Sequence, residues 1–410
     1  MEDKRISPDG TVRLRLRDNL TGQGLVLTAL AMMALGVVMV FSACFDTSDS
    51  VRWYNRTDIR QAIFAAAALL VLVSLWRFDY HLLPRPIWPG WGKLAFLSTP
   101  AFFILVAGIG LSLLVLVPHV GQISHGQARW LKLGPVHIQP SEILKIGLII
   151  CIAAFLSRPN VDRRSFWRCF LPLMLAVGAC AALVAKQNVS TAAIILLGAT
   201  AVMIMGGVRW YYFAGMLPVV AAAGWFFITR EPYRMARIMA FQNPFNSDLP
   251  ASYQPLQSLL AIASGGLTPA GLGGGVAKYR YLPEIDNDFI FSSIAEEIGV
   301  VGTVLVVGML LLWLLLSRRA ALKAPDRLGM LLAGGIGMLV VLQGLLHIAV
   351  CAVAVPPTGV SLPFVSSGGS SLLTMSAAVA IMISITSRRS VAPGELRPAW
   401  HEEKARLGRA

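Results

Sequence analysis

The chain has 410 residues, of which 56% are hydrophobic and only 14% charged, with a formal net charge of +14 at neutral pH. That balance excludes a soluble domain with an ordinary polar surface, because too few charged side chains exist to cover one; lipid must serve as solvent. The excess of Lys and Arg gathers in the two tails, where it reads as a topology signal that also attracts anionic lipid, and not as a nucleic-acid surface.

A span needs roughly 20 predominantly apolar residues, and stretches of that order recur in chain order. Hydropathy predicts helices over residues 25–43, 61–76, 94–117, 143–156, 167–185, 191–205, 210–228, 290–316, 328–355 and 369–386. The expected fold is an all-α polytopic membrane protein with about ten transmembrane helices. The first stretch is longer than a signal-peptide core and no small-residue cleavage site precedes Asp46, so it is expected to be retained. With the N-terminus inside, the cytoplasmic segments hold roughly twice as many Lys and Arg as the outer ones, as the positive-inside rule requires. Residues 1–24 and 388–410 then read as cytoplasmic basic tails, and 25–387 as one membrane domain. Cys44, Cys151, Cys169, Cys180 and Cys351 lack disulfide or metal-ligand spacing and read as packing residues.

Three outer connections are long enough to build a site: 118–142, 229–289 between helices 7 and 8, and 356–368. The longest carries Tyr233, Phe241, Phe245 and Tyr253, then an apolar run, 259–263, expected to form a short helix along the membrane interface. A glycine cluster follows (Gly265, Gly266, Gly271, Gly273, Gly274, Gly275), which permits tight turns and close backbone approach to a ligand. This composition points to a shaped pocket and not a tether.

Ahead of the eighth stretch stand Glu284, Asp286 and Asp288, with Glu296 and Glu297 inside the apolar run. Carboxylates at a membrane boundary are costly unless solvated, paired or used; a plain reading is a solvated helix start favoured by the helix dipole. Asp288 differs, because Phe289, Ile290 and Phe291 follow directly, and desolvation there would raise its pKa and suit it to general-base work. Arg129, Lys132, Lys186, Arg230, Arg234, Arg237, Lys278 and Arg280 lie on the same side. They either pair with the carboxylates or face a substrate that is a diphosphate at one end and an alcohol at the other. No ligand spacing marks a metal site, although the acidic cluster leaves room for a divalent cation, Mg2+ or Mn2+, beside a diphosphate.

Within the apolar stretches, Glu142 and Lys145 lie one helical turn apart, as do Gln343 and His347. Each pair either bonds helix to helix or lines a polar groove.

Three signatures, in order, then resemble the shape, elongation, division and sporulation (SEDS) family, that of FtsW and RodA. The first runs from Gly126-Gln127-Ala128-Arg129-Trp130 to Gln139-Pro140-Ser141-Glu142-Ile143-Leu144-Lys145. The second is Leu282-Pro283-Glu284 through Asp288-Phe289-Ile290-Phe291, with Glu296-Glu297-Ile298-Gly299. The third is Pro356-Pro357-Thr358-Gly359-Val360-Ser361-Leu362-Pro363-Phe364, with Ser366 and Gly368-Gly369-Ser370-Ser371. Tyr253-Gln254, Gln257-Ser258-Leu259 and Lys278 before Tyr281-Leu282-Pro283 look more like the FtsW branch than the RodA branch.

The resemblance implies a peptidoglycan glycosyltransferase that polymerises lipid II into β-1,4-linked strands on the outer face of the cytoplasmic (inner) membrane in septal wall synthesis, beside a class B penicillin-binding protein and other division proteins. It implies Asp288 as the catalytic residue. The expected substrate-binding set is Arg129, Lys132, Glu142, Lys145, Arg237, Lys278, Glu284, Ser366 and Ser370. The rival expectations are a transporter of lipid II or another lipid-linked sugar, the RodA-type elongation polymerase, and a non-catalytic division scaffold. Three departures stand out. Asp286-Asn287 replaces the family's His-Thr, Lys186-Gln187-Asn188-Val189-Ser190-Thr191 replaces Gln-Pro-Asp-Leu-Gly-Thr, and Ser366-Ser367-Gly368-Gly369 replaces Ser-Tyr-Gly-Gly. The second loses a carboxylate, so Asn188 is expected to have no catalytic role.

Overall fold

A computed structural model describes residues 11–13, 18–44, 56–117, 120–124, 127–133, 136–245, 250–279 and 281–390. Most of both expected tails, Gly126 and Arg280 lie outside these residues.

Every expected apolar stretch coincides with a helix. In chain order these are α1 (Leu20–Ala43), α2 (Thr57–Leu75), α3 (Pro100–Leu114), α4 (Pro140–Leu156), α5 (Leu171–Ala185), α6 (Val189–Met205) and α7 (Trp210–Thr229). Two helices belong to the long connection, α8 (Pro232–Gln242) and α9 (Tyr253–Gly265), and three more close the chain, α10 (Ile290–Leu322), α11 (Arg327–Cys351) and α12 (Gly369–Thr386). Seven of the described helices are long and apolar enough to cross a membrane, while α3 and α6 are shorter apolar helices. The chain is an all-α polytopic membrane protein. Helix starts follow ordinary capping chemistry: the Asn19 side chain accepts from the Gly22 amide at α1, and the Asn188 side chain accepts from the Ser190 and Thr191 amides at α6.

Three helices, α4, α11 and α12, bury most of their residues and form the centre, whereas α7, with Pro218 inside it, has no fully buried residue and lies at the periphery. Small residues permit close approach: a Cβ on Gly108 of α3 would stand 2.8 Å from the Leu144 Cα of α4.

Short strands add two small sheets that hydropathy does not reveal. Thr11–Arg13 (β1) pairs antiparallel with Arg388–Ser390 (β5), joining the two tails. Gly121–Ser124 (β2), Gln127–Leu133 (β3) and Val136–Ile138 (β4) form an antiparallel meander in the first long connection, with Leu131 opposite Ile138. The expected run 259–263 falls within α9, which packs along α10: no Cβ would fit at Gly265 against the Ala295 carbonyl.

Helix α10 is interrupted at Gly299, whose φ of 71° places it in the left-handed region open to glycine. The broken ends are satisfied from one loop. The Val300 amide donates to the Gly266 carbonyl at 3.1 Å, and the Ala270 amide to the Glu296 carbonyl at 3.2 Å. The glycine cluster thus wraps the break in α10.

Candidate active site

Asp288 lies in the turn just before α10. The amides of Asn287, Asp288 and Phe289 all donate to the Glu284 carbonyl, at 3.1, 2.9 and 3.3 Å. This closed turn holds Glu284 at φ 58°, a region costly for a residue with a Cβ. A pocket of about 320 Å³ opens beside it, lined by Asp288, Glu284 and Asn287, by Arg129 and Trp130 of β3, by Arg60 and Gln61 of α2, and by Gly359 and Ser367. Asp288 is half-buried at the pocket wall. Enclosure by protein, reinforced by the charge of Glu284 and less by Asp286, pushes its pKa up to about 7, against the opposing pull of Arg129 and Arg237. A carboxylate so poised can exchange a proton near neutral pH.

Arg60 also lines this pocket. Its guanidinium donates to His137 Nδ1 at 2.9 Å, so that nitrogen must be the acceptor and the ring neutral. Burial, Arg60 and Lys132 all hold His137 below its usual range, consistent with that role.

The third long connection passes over the pocket as a strap. Four of its carbonyls accept side-chain hydrogen bonds: Pro357 from Arg237 (3.0 Å), Gly359 from Asn188 (2.9 Å), Val360 from His347 (2.8 Å) and Ser361 from Gln343 (3.0 Å). Those donors come from α8, the start of α6, and α11. Asn188 therefore does what the family's carboxylate cannot: its oxygen caps α6 while its amide nitrogen holds Gly359.

On the far side of Arg129 and Gly359 lies a second pocket of about 240 Å³. Arg129, Arg234 and Arg237 give it positive charge, and Val189, Ile228, Ile238 and Leu346 give it apolar walls. The Arg129 Nε donates to the Gln187 carbonyl at 3.0 Å, and Arg237 stacks 4.5 Å over the Tyr233 ring. Arg129 and Gly359 line both pockets and form the partition between them.

Beneath the first pocket runs a buried polar row. Ser371, which lines the pocket, donates to Glu142 (3.2 Å); Glu142 pairs with Lys145 (2.8 Å), and Lys145 donates to Gln343 (2.7 Å). Of the two alternatives open for Glu142 and Lys145, the structure takes the first. They bond helix to helix, and they support the pocket floor without lining it.

The expected substrate set divides. Asp288, Glu284 and Arg129 meet in the first pocket, Arg129 and Arg237 in the second. The hydroxyl of Ser366 donates to the Asn287 carbonyl (2.7 Å) and accepts from the Leu362 amide (2.8 Å), and Ser370 accepts from the Gln139 amide (3.1 Å). Both serines hold backbone and line neither pocket. Lys132 is exposed on β3 opposite His137 and lines neither. Lys278 does not reach either pocket: it is buried with Glu297 (3.9 Å), bonds the Gly273 carbonyl, and Glu297 is in turn held by Ser42 of α1 (2.6 Å). Its charge is used to bind the glycine loop to α10. Among the described residues no group of three or more His, Cys, Asp or Glu is placed to hold a metal ion.

A family model described as cell cycle protein, covering FtsW, RodA and SpoVE, matches residues 23–391. The chain belongs to this family. It is 36% identical over 392 residues to a probable peptidoglycan glycosyltransferase FtsW of Thioalkalivibrio sulfidiphilus, covering 94% of this chain and 93% of that one. It is 34% identical over 366 residues to a protein of the same description from a Geobacter species, covering 88% and 96%. Stage V sporulation protein E of Bacillus subtilis is 34% identical over 370 residues, covering 88% and 96%. Among solved structures, a chain of a peptidoglycan synthase complex that coordinates polymerization and crosslinking matches with a TM-score of 0.68 at 28% identity, covering 89% of this chain and 97% of that one. The rod-shape-determining protein RodA of Thermus thermophilus matches with a TM-score of 0.60 at 27% identity, covering 88% and 95%.

Two departures from the FtsW/RodA/SpoVE pattern meet in space. Ser367, where the family has an aromatic residue, donates its hydroxyl to the Asp286 carboxylate at 2.7 Å and its amide to the Asp286 carbonyl at 3.0 Å. Asp286 is thereby turned towards the strap. Sequence reasoning missed Arg60, Gln61 and His137, and it quoted Ser371 in the third signature without placing it in the site; for the first three, only the arginine next to an amide at the start of α2 was a visible signal.

Proposed function

We infer that this chain is a peptidoglycan glycosyltransferase of the division type, and that its substrate is lipid II. The observation that carries the reading is Asp288, a carboxylate titrating near neutral pH in a pocket that adjoins a second, cationic and apolar pocket across Arg129 and Gly359. A polymerase joining two lipid-linked sugars needs two such sites side by side.

The acceptor sugar occupies the Asp288 pocket and the donor diphosphate lies against Arg129 and Arg237, with its polyprenyl chain along the apolar wall. Asp288 takes the proton of the acceptor 4-hydroxyl as its oxygen attacks the donor anomeric carbon. The bond from that carbon to the diphosphate oxygen breaks, undecaprenyl diphosphate leaves with the electron pair, and the new β-1,4 linkage has inverted configuration. The guanidiniums stabilise the charge that develops on the leaving group. A divalent cation, Mg2+ or Mn2+, would arrive with the diphosphate oxygens, and no step here runs through it.

The relatives described as FtsW support the division role, and the solved synthase complex supports a crosslinking partner, read here as a class B penicillin-binding protein. The reading sets the chain in the cytoplasmic membrane with both tails inside and Asp288 outside, as the distribution of Lys and Arg favours.

The test is polymerisation of labelled lipid II by the full chain with its transpeptidase, beside Asp288→Asn. Polymer from wild type and none from a folded Asp288→Asn variant is expected. Equal polymer from both would remove Asp288 from the chemistry, and no polymer with transport of labelled lipid II across vesicles would favour a transporter.

A further inference from the structure

Three polar side chains stand on one face of α11 at helical spacing: Gln343, His347 and Cys351, none more than 1% exposed. Hydropathy alone offers no reason for them in the centre of the bundle, and the chemistry proposed above uses none of them. Their partners are all parts of the site. Gln343 holds the Ser361 carbonyl, His347 the Val360 carbonyl, and the Cys351 thiol lies 3.8 Å from the Asp288 carbonyl and 3.6 Å from His347 Nε2.

A carbonyl oxygen only accepts, so His347 Nδ1 must carry the proton, and Nε2 is then free to accept from the Cys351 thiol. The imidazole is therefore fixed to the strap through Nδ1–H, while the single Cys351 thiol proton goes either to Nε2 or to the Asp288 carbonyl. The next strap residue, Gly359, leaves little room: a Cβ there would stand 3.3 Å from Asp288 Oδ2 and 2.8 Å from Arg129 Nη1. A shift of the Val360 carbonyl would move Gly359 relative to both.

We propose that His347 is a positioning residue of the active site, whose Nδ1–H holds the Val360 carbonyl and so sets Gly359, the partition between the two pockets, against Asp288 and Arg129. It touches no substrate and acts through the strap. The activity arm of its test rests on the glycosyltransferase reading, while the structural arm does not.

Three variants of the full chain separate the roles of the two ring nitrogens. His347→Asn places an amide N–H where Nδ1 stands and removes Nε2; His347→Gln reaches the Nε2 position and abandons Nδ1; His347→Leu removes both. Hydrogen–deuterium exchange of the 358–362 backbone is read for each variant in purified protein, beside melting temperature and steady-state kinetics on labelled lipid II. Faster exchange in His347→Leu and His347→Gln, near-native exchange in His347→Asn, and a kcat lowered about 10- to 100-fold at little changed KM in the first two are expected for a misplacement on the ångström scale. Native exchange and kcat in His347→Leu would overturn the proposal, as would rescue by Gln but not by Asn, which would transfer the role to the Cys351 contact. Should His347→Leu not fold, the Asn and Gln pair still decides. Wild type that makes no polymer would count against the glycosyltransferase reading alone, with the exchange arm unaffected.

Discussion

Gly359 and Asp288 are so close that a single methyl group at 359 would come within 3.3 Å of the Asp288 carboxylate, and within 2.8 Å of the Arg129 guanidinium. Arg129 cannot yield freely, because its Nε is held by the Gln187 carbonyl. Gly359→Ala should therefore leave the fold intact and displace Arg129. Expected is a melting temperature within a few degrees of wild type and a polymerisation rate lowered by about 10-fold or more. Unaltered kinetics would show that the partition tolerates a side chain.

With Asp288 titrating at about 7, a base role makes the rate rise with pH through that value and level off above it. Glu284 is the largest charge raising it, so Glu284→Gln should move the rising limb to lower pH. Asp288→Asn should cost about 100-fold or more in rate. The stability effect has the opposite sign to the usual carboxylate. The folded pKa lies above the ordinary carboxylate value of 3.8, so the folded state holds the proton more tightly, and stability falls as pH rises from about 4 to about 7. Asp288→Asn should accordingly melt no lower than wild type at pH 8. A pH–rate profile and a melting series check both signs.

Asn188→Asp restores the residue type usual in the family and keeps the α6 cap, since both side chains cap well. It also sets a carboxylate oxygen against the Gly359 carbonyl at the present 2.9 Å contact. Activity should drop while helix content holds. If Asn188→Asp were fully active, the strap would not depend on that amide.

Lys278 and Arg237 should behave differently. Lys278→Met strands Glu297 among buried groups, where breaking a buried ion pair costs about 3–5 kcal/mol. The loss should appear in stability, be partly recovered by adding Glu297→Gln, and leave KM unchanged in the folded fraction. Arg237→Gln should instead raise KM for the diphosphate-linked substrate about 10-fold, in line with a charge-assisted hydrogen bond of about 1.5–3 kcal/mol. Melting curves and steady-state kinetics separate the two.

Lys132 is exposed on β3, whereas the native cysteines are buried or, for Cys44, half-buried. In intact cells with this domain facing outward, Lys132→Cys should react with a membrane-impermeant maleimide faster than wild type does. Labelling only after the membrane is opened would reverse the assigned orientation.

The helices were legible because the requirement they meet is local. Each apolar stretch must satisfy its own backbone groups in lipid, and a helix does so within the stretch. Asp288 stood out for a local reason too, since an apolar run follows it directly. Charge alone also named Arg129 and Arg237. It equally named Lys278 and Lys132, because a list of cations on one side does not tell which carboxylate lies nearest. The β2–β4 meander went unseen because three short strands carry little hydropathy signal.

What only the tertiary structure decided is where the long-range partners fall. Asn188, Arg237, Gln343 and His347 come from three separate parts of the chain, yet their donors converge on four carbonyls between Pro357 and Ser361. Ser367 and Asp286, each a departure when read alone, are partners in space. Hydropathy is a property of a stretch and is written in the stretch. A hydrogen bond between distant segments depends on how helices pack, and packing is set by the whole set of contacts at once, so the composition and charge of this chain determine a membrane bundle with an acidic turn, while the pairing of that turn with the strap belongs to the fold.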